Sequence, residues 1–366
     1  MNASDASSLL PDLPRGAPIL ITRLRSLGDL VLETPAIAAL HAWRPDLRIF
    51  ILVEDRFAPA FENNPGVTAV LTARGFGDTA KTLRRERFPI AYNQHGGPRS
   101  AILTALSAAP VRVCWKNVQF SFLYNVLVPN PEEYYKNSSA HAAEHRISQF
   151  YFTGLPRGPI PRAQVFPGAP AVESARGMLV EAGIPKSTPY AVLQPEARSV
   201  SMRWPVAKFA QVARWLRETH GIASVVNSSE TESELAAEVR RELGKCALVP
   251  HSPLPLRELI ALIAGARLYV GNDSGPTHLA AAAGIPVVAI FGPTNWRQWR
   301  PWRTEHRVVS TGARFETIRG VAERFVSEER PIQTIAVEEV CKACEELLED
   351  GCEIRGDDND VKPSQA

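Results

Sequence analysis

The sequence predicts an α/β protein made of two Rossmann-like domains that face one another across a central cleft. Three observations carry this. Apolar runs of strand length alternate with stretches of helical period, the alternation stops in a proline-rich segment and restarts after it, and 366 residues allow two cores of about 150–200 residues each. With 45% hydrophobic and 22% charged residues the chain has a globular composition, and its 30 prolines mostly punctuate apolar runs. Forty-one Lys and Arg against 39 Asp and Glu leave a formal charge of +2, which argues against a dedicated nucleic-acid binder.

The elements follow in order. Residues 1–17 read as a disordered N-terminal segment, and residues 18–153 as the first domain. Its opening strand, Pro18 to Thr22, leads through a loop to Gly28 and a helical pattern carried by Leu30, Leu32, Ile37 and Leu40. Further strands are expected at Arg48 to Val53, Val67 to Leu71 and Pro89 to Tyr92, with a helix from Ser100 to Leu106. Residues 154–171 hold five prolines without helical period and read as an extended linker.

The second domain spans 172–330. Strands are expected at Tyr190 to Leu193, Ala223 to Asn227, Leu268 to Gly271 and Val287 to Phe291, and helices at Val206 to Arg217, Glu230 to Leu243 and Thr277 to Ala283. A terminal helix falls within 331–350, and 351–366 reads as a flexible tail whose Asp357, Asp358 and Asp360 are either a solvated acidic end or, less in keeping with such ends, a metal site. Cys341 and Cys344 form a CxxC with no second pair, which argues against zinc. Five cysteines without regular spacing, no basic-then-apolar leader and no apolar run near 20 residues suggest a reducing, cytoplasmic setting.

Two segments carry chemistry. In Asn272 to Thr294 a strand passes through Asp273, Ser274 and Gly275 into a helix that opens with Pro276, Thr277 and His278. Capping residues, a proline in the first turn and a glycine that admits close approach make this helix start a candidate phosphate site; an ordinary capped helix is the competing reading. In the first domain Gly28 and Asp29 sit where a strand hands over to a helix. Asp29 is either a general base facing the cleft or an N-cap residue.

The segments R-L-R-S-L-G-D-L-V-L-E-T-P-A at residues 23–36 and N-D-S-G-P-T-H-L-A-A-A-A-G-I-P-V-V-A-I-F-G-P-T at residues 272–294 together resemble glycosyltransferase family nine, the bacterial heptosyltransferases. The resemblance runs from about residue 18 to about residue 347. It implies a GT-B fold, inverting transfer from an ADP-heptose donor to the lipopolysaccharide inner core, no cofactor and no metal. It matches Asp29 to the catalytic base. Ser274, Gly275 and His278 match positions on or beside the donor diphosphate, within a donor segment that also holds Asp273, Pro276 and Thr277.

The stretch Arg198 to Pro205 resembles a family segment ending Lys-Arg-Trp-Pro, with Met202 in place of the lysine. Either Arg203 takes over that charge or the donor is held differently, because a thioether cannot neutralise a diphosphate. Glu232 falls near the position where an acidic residue meets the donor ribose, with Glu230 and Glu234 as register alternatives, and Arg99 resembles a basic position on the acceptor side or is a solvated loop arginine. The implied partners are a nucleotide sugar and a glycolipid, with peripheral contact at a membrane and no nucleic acid. A different donor or acceptor, a nucleotide-sugar epimerase and a non-catalytic relative are the alternatives.

Overall fold

A computed structural model describes residues 6–137, 140–227, 234–318 and 322–353. The first domain is built on a six-stranded parallel sheet. Its strands are β1 (Pro18–Thr22), β2 (Arg48–Val53), β3 (Ala69–Thr72), β4 (Ile90–Asn93), β5 (Val111–Trp115) and β6 (Val126–Val128), in the order β3-β2-β1-β4-β5-β6. Such sheets are buried on both faces, and the alternation shows it. Ile19, Ile21, Ile49, Ile51 and Tyr92 join one core, while Leu20, Phe50, Leu52 and Ala91 join a second core on the other face.

Helix α1 (Leu27–Val31) follows β1, then come α2 (Thr34–Trp43), α3 (Phe76–Glu86), α4 (Pro98–Leu106), α5 (Pro131–Tyr135) and α6 (Ala142–Phe152). The sequence reading missed β5, β6, α3, α5 and α6. In α3 only Thr79, Ala80 and Leu83 are buried, and beyond the exposed Phe76 and Gly77 the rest is polar or charged, so few apolar residues mark its inner face.

Residues 6–17 are ordered, contrary to the expectation of disorder. Ala6 and Leu10 are fully buried, the Leu10 amide donates to the Thr153 carbonyl at 2.9 Å, and the Arg44 guanidinium bonds the carbonyls of Leu10, Pro11 and Leu13. Apolar side chains spaced among prolines sufficed to fix the segment.

The linker is also packed rather than freely extended. Ile160, Ala163 and Val165 are buried, the Gln164 amide donates to Thr34 of the first domain, and the Val165 amide to Ala282 of the second. Helix α7 (Ala169–Glu181) already begins within its expected span.

The second sheet runs β11-β10-β9-β7-β8, all parallel: β7 (Tyr190–Gln194), β8 (Ala223–Val226), β9 (Leu268–Asn272), β10 (Val287–Phe291) and β11 (His306–Ser310). Helices α8 (Val206–His220), α9 (Glu234–Leu243), α10 (Leu256–Ala264), α11 (Gly275–Ala283) and α12 (Trp296–Trp299) accompany it, and an antiparallel hairpin of β12 (Arg314–Ile318) and β13 (Ala322–Ser327) follows. The terminal helix α13 (Val337–Glu353) packs Val340, Ala343, Cys344 and Leu347 into the core of this second domain, covering its sheet. Cys344 is therefore a core residue. The tail aspartates and Glu232, with Glu230, lie outside the described residues.

Both sheets reverse strand order beside a central strand, β1 in the first and β7 in the second. In open α/β sheets that reversal opens a crevice at the carboxyl ends of the strands. The two crevices face each other.

Candidate active site

Asp29 is the third residue of α1, whose N-cap is Ser26, so the N-cap reading of Asp29 does not hold. Its carboxylate is fully engaged. Oδ1 accepts from Arg146 Nη2 at 2.5 Å, and Oδ2 accepts from Arg23 Nη2 at 2.7 Å and from the Ser26 hydroxyl at 2.8 Å. Both arginines are buried and also donate to the Gln94 carbonyl. Burial on its own would raise the Asp29 carboxyl, but the Arg146 and Arg23 guanidinium groups and the Ser26 hydroxyl outweigh it and hold the group well below the usual carboxylate range. Asp29 is thus an anion at every physiological pH.

Behind this cluster sits Glu33, fully buried, with Arg146 Nε 3.4 Å from Oε1 and neither carboxylate oxygen in a hydrogen bond. Burial pushes it up to about 7, against the pull of Arg146 and Arg23. The first-motif sequence contains Glu33, yet its role depends on Arg146, 113 positions away, which no local pattern announces.

Across the cleft, Ser274 caps α11 with extended backbone, and Gly275 and Pro276 form its first turn. The first amides of a helix have no intrahelical acceptor and face an anion with the positive end of the dipole. The Thr277 amide is an exception here. It donates to the Ser274 carbonyl at 3.2 Å, and the Thr277 hydroxyl donates to the Asn272 carbonyl at 2.7 Å, so Thr277 shapes the turn and its amide is not free to hold phosphate.

His278 is buried, its Nδ1 has no partner, and burial lowers it to about 4, so the ring is neutral. Asp273 is pushed up to about 6 by burial, with the Thr294 hydroxyl bond opposing.

The two motifs meet directly. A Cβ on Gly28 would lie 2.6 Å from His278 Cδ2, and one on Gly275 would lie 2.9 Å from the Leu27 Cβ. The glycines therefore let α1 and α11 close on each other, beyond any approach to a ligand. Two further ties span the domains and a third reaches the linker. Arg257 forms a two-pronged pair with Glu62 at 2.6 and 2.5 Å, His141 Nε2 meets the Arg300 carbonyl at 2.8 Å while packing on Trp302, and the Asn63 side-chain Nδ2 donates to the Phe166 carbonyl of the linker.

Between the motifs lies a cavity of about 800 Å³, with Asp29, Arg23 and Arg25 on one wall and Asp273, Ser274, Gly275, Pro276 and His278 on the other. Arg198, Met202 and Trp299 line it as well. A neighbouring cavity of about 510 Å³ shares Leu27, Arg198, Ser274 and Pro276 and continues to Gln194, Asn227 and Arg203.

Met202 thus occupies the main cavity, and Arg203 faces the neighbouring one with its Nε bonded to the Ala197 carbonyl. Arg198 reaches both, and among the described residues it has no ion-pair partner. Arg99 does not line either cavity. Its guanidinium ties the Ala73 and Arg74 carbonyls at 3.0 and 2.8 Å and sits 3.6 Å from Glu54.

A model of glycosyltransferase family 9 (heptosyltransferase) matches residues 77–320. The chain belongs to that family. It is 28% identical over 299 residues to lipopolysaccharide heptosyltransferase 3 of Escherichia coli, covering 76% of this chain and 84% of the relative. Among solved structures, a family 9 glycosyl transferase from Veillonella parvula superposes with a TM-score of 0.78 at 20% identity, covering 91% of this chain and 97% of that one. The E. coli ADP-heptose LPS heptosyltransferase II gives a TM-score of 0.75 at 21% identity, covering 91% and 99%. The fold of this glycosyltransferase is GT-B, two parallel-sheet α/β domains, and the likeness extends over nearly the whole chain.

Proposed function

We propose that this glycosyltransferase moves heptose, with inversion, from ADP-heptose to a hydroxyl of a lipopolysaccharide-core acceptor presented at the cytoplasmic face of a membrane. The observation that carries the reading is the placement of Asp29 and the start of α11 on opposite walls of one cavity. A base and an anion site across a gap of that kind suit a displacement in which the nucleophile enters from one side and a diphosphate leaves on the other. The donor and acceptor classes come from the relatives' named activity.

In this reading the acceptor hydroxyl displaces one of the donors now held by Asp29 and passes its proton to the carboxylate. The departing diphosphate is received by the Ser274 and Gly275 amides, by the neutral His278 ring, whose unpartnered Nδ1 is buried at the site, and by the Arg198 guanidinium. The nucleoside extends into the neighbouring cavity past Arg203, Gln194 and Asn227. Glu232 is proposed for the ribose hydroxyls. No step requires a metal ion.

The test is a pair of measurements. Calorimetric titration with ADP, UDP, GDP and CDP should show selective ADP binding, and Asp29→Asn should lower transfer by about 10²–10⁴-fold with ADP affinity within about two-fold of the parent. Equal affinity for all four nucleotides would remove the ADP assignment, and undiminished turnover of the variant would remove Asp29 from the proton transfer.

A further inference from the structure

We infer that one outer face of the first domain, formed by α3, α4 and the Ser121–Leu123 turn, docks on an anionic lipid surface. The inference rests on the proposed lipid-linked acceptor for its purpose, and on the distribution of side chains for its evidence. Among the described residues the first domain exposes four large apolar side chains, Phe76 (46%), Ile102 (40%), Phe122 (79%) and Leu127 (42%).

All four lie on the same side of the six-stranded sheet. Helices α3 and α4 bury Leu83 and Leu103 on the Leu20, Phe50, Leu52 and Ala91 face, and α4 also packs Ala101 against Cys114 of β5 and the neighbouring Phe120 and Leu123. Leu127 is the register partner of Cys114 on β6 and so points the same way, whereas its neighbours Val126 and Val128 enter the opposite core. The opposite face is closed over by α2 and α6.

Charge accompanies these side chains. Residues 74–87 hold five basic and two acidic groups, a greater excess than the +2 of the whole chain. Phe76, Lys81, Arg84, Arg85, Arg87 and Leu106 line a broad depression of about 840 Å³ on this face. Among the described residues Lys81, Arg85 and Arg87 have no ion-pair partner, so their charge is free for a ligand surface.

Separate apolar side chains set among unpaired cations match the two signals that hold a protein at a bilayer: insertion at the headgroup boundary and attraction to anionic lipid, the latter worth about five-fold in partitioning per basic residue. A nucleic acid or an acidic protein would use the charge and leave four apolar groups in water. Orientation fits the chemistry. Helices α3 and α4 begin at the carboxyl edge of the sheet, the edge at which Asp29 and His95 line the cavity, so a face resting on lipid sets the cavity mouth beside an acceptor anchored in it.

The experiment is vesicle flotation of the full chain at about 0.1 M salt, with roughly 7:3 phosphatidylethanolamine to phosphatidylglycerol vesicles against pure phosphatidylcholine. The protein should float with the anionic vesicles, remain behind with the neutral ones, and be released at about 0.5 M salt. Lys81→Glu with Arg85→Glu should cut partitioning by at least about twenty-fold, and Phe122→Ser should weaken it further. Both variants should keep the parent's circular dichroism, ADP affinity and rate on a deacylated, water-soluble core oligosaccharide.

Failure of the unmodified protein to float, equal flotation on phosphatidylcholine, or unchanged flotation of the charge-reversed variant would each overturn the inference. If vesicle binding behaves as stated but the soluble oligosaccharide is not glycosylated even by the parent protein, the reading of the reaction fails and the docking surface stands.

Discussion

Replacing Glu33 by Gln should make the chain more stable in a pH window that the structure fixes. The carboxyl is fully buried as the N-cap of α2, its oxygens make no hydrogen bond, and the charges facing it are Arg146 and Arg23, which favour ionisation, and Asp29, which opposes it. Burial wins and raises the group from 4.5 to about 7. The folded chain therefore keeps a proton that the unfolded chain releases from about pH 4.5 upward. The stability tied to that proton is complete below 4.5, declines through the window and is gone above about 7, at about 1.4 kcal/mol per pH unit and about 3 kcal/mol in all. Gln fills the same space without titrating. Urea unfolding of both proteins at several pH values from 4.5 to 8 can be followed by tryptophan fluorescence, with Trp115 as a local reporter because Arg146 covers its ring at 5.7 Å. The Gln variant should match the parent at the acid end and exceed it by about 3 kcal/mol at pH 8. A constant difference, or a parent that gains on the variant as pH rises, would show Glu33 ionised and paired with Arg146 throughout, and would refute the desolvation argument.

Gly28→Ala puts a methyl group 2.6 Å from His278 Cδ2, so it should hold α1 and α11 apart, enlarge the radius of gyration in solution scattering and cut transfer more than it cuts ADP affinity. Arg198→Ala should weaken ADP binding by roughly 10-fold or more, the loss expected of a charge-assisted bond, while Met202→Ala leaves it nearly unchanged; titration calorimetry separates the two. Asp273, raised to about 6, should ionise as pH passes from 5 to 8 and repel the diphosphate beside it. ADP affinity of the parent should therefore fall across that range relative to Asp273→Asn, and parallel affinity profiles would place the diphosphate away from this carboxyl.

What the sequence disclosed and what it hid divide along a physical line. The β1 to α1 and β9 to α11 transitions were legible because glycine, proline and capping residues act on their own few neighbours. Arg146, Glu33 and Arg23 form the setting of Asp29 through contacts that span up to 117 residues, and nothing near Arg146 in the chain marks it as a partner. The cations near the cavities were only partly legible. Met202 ends a 3-10 turn, Val200–Met202, and Arg203 follows it in extended backbone, so Met202 lines one cavity and Arg203 the next, while Arg198, earlier in the same loop, lines both. Helix α3 was missed because its buried stripe is only Thr79, Ala80 and Leu83, while its basic exposed face dominates the composition.

The engagement of Asp29 bears on which part of catalysis is greatest. A carboxylate that already accepts three hydrogen bonds from two arginines and a serine is a weak base, and weak bases contribute at the low end of general-base catalysis. Of these arginines Arg23 lines the cavity, with Arg25 beside it, opposite the start of α11, so cationic groups face the cavity from the first domain and a helix N-terminus from the second before any ligand arrives. A leaving diphosphate gains negative charge as the glycosidic bond breaks, and donors fixed in advance stabilise that change without reorganising. Contact between α1 and α11 through Gly28 and Gly275 keeps those walls close. It follows that Arg198→Ala should lower the transfer rate by a factor comparable to that of Asp29→Asn. A much larger loss for Asp29→Asn would mean that proton removal, and not departure of the diphosphate, sets the rate.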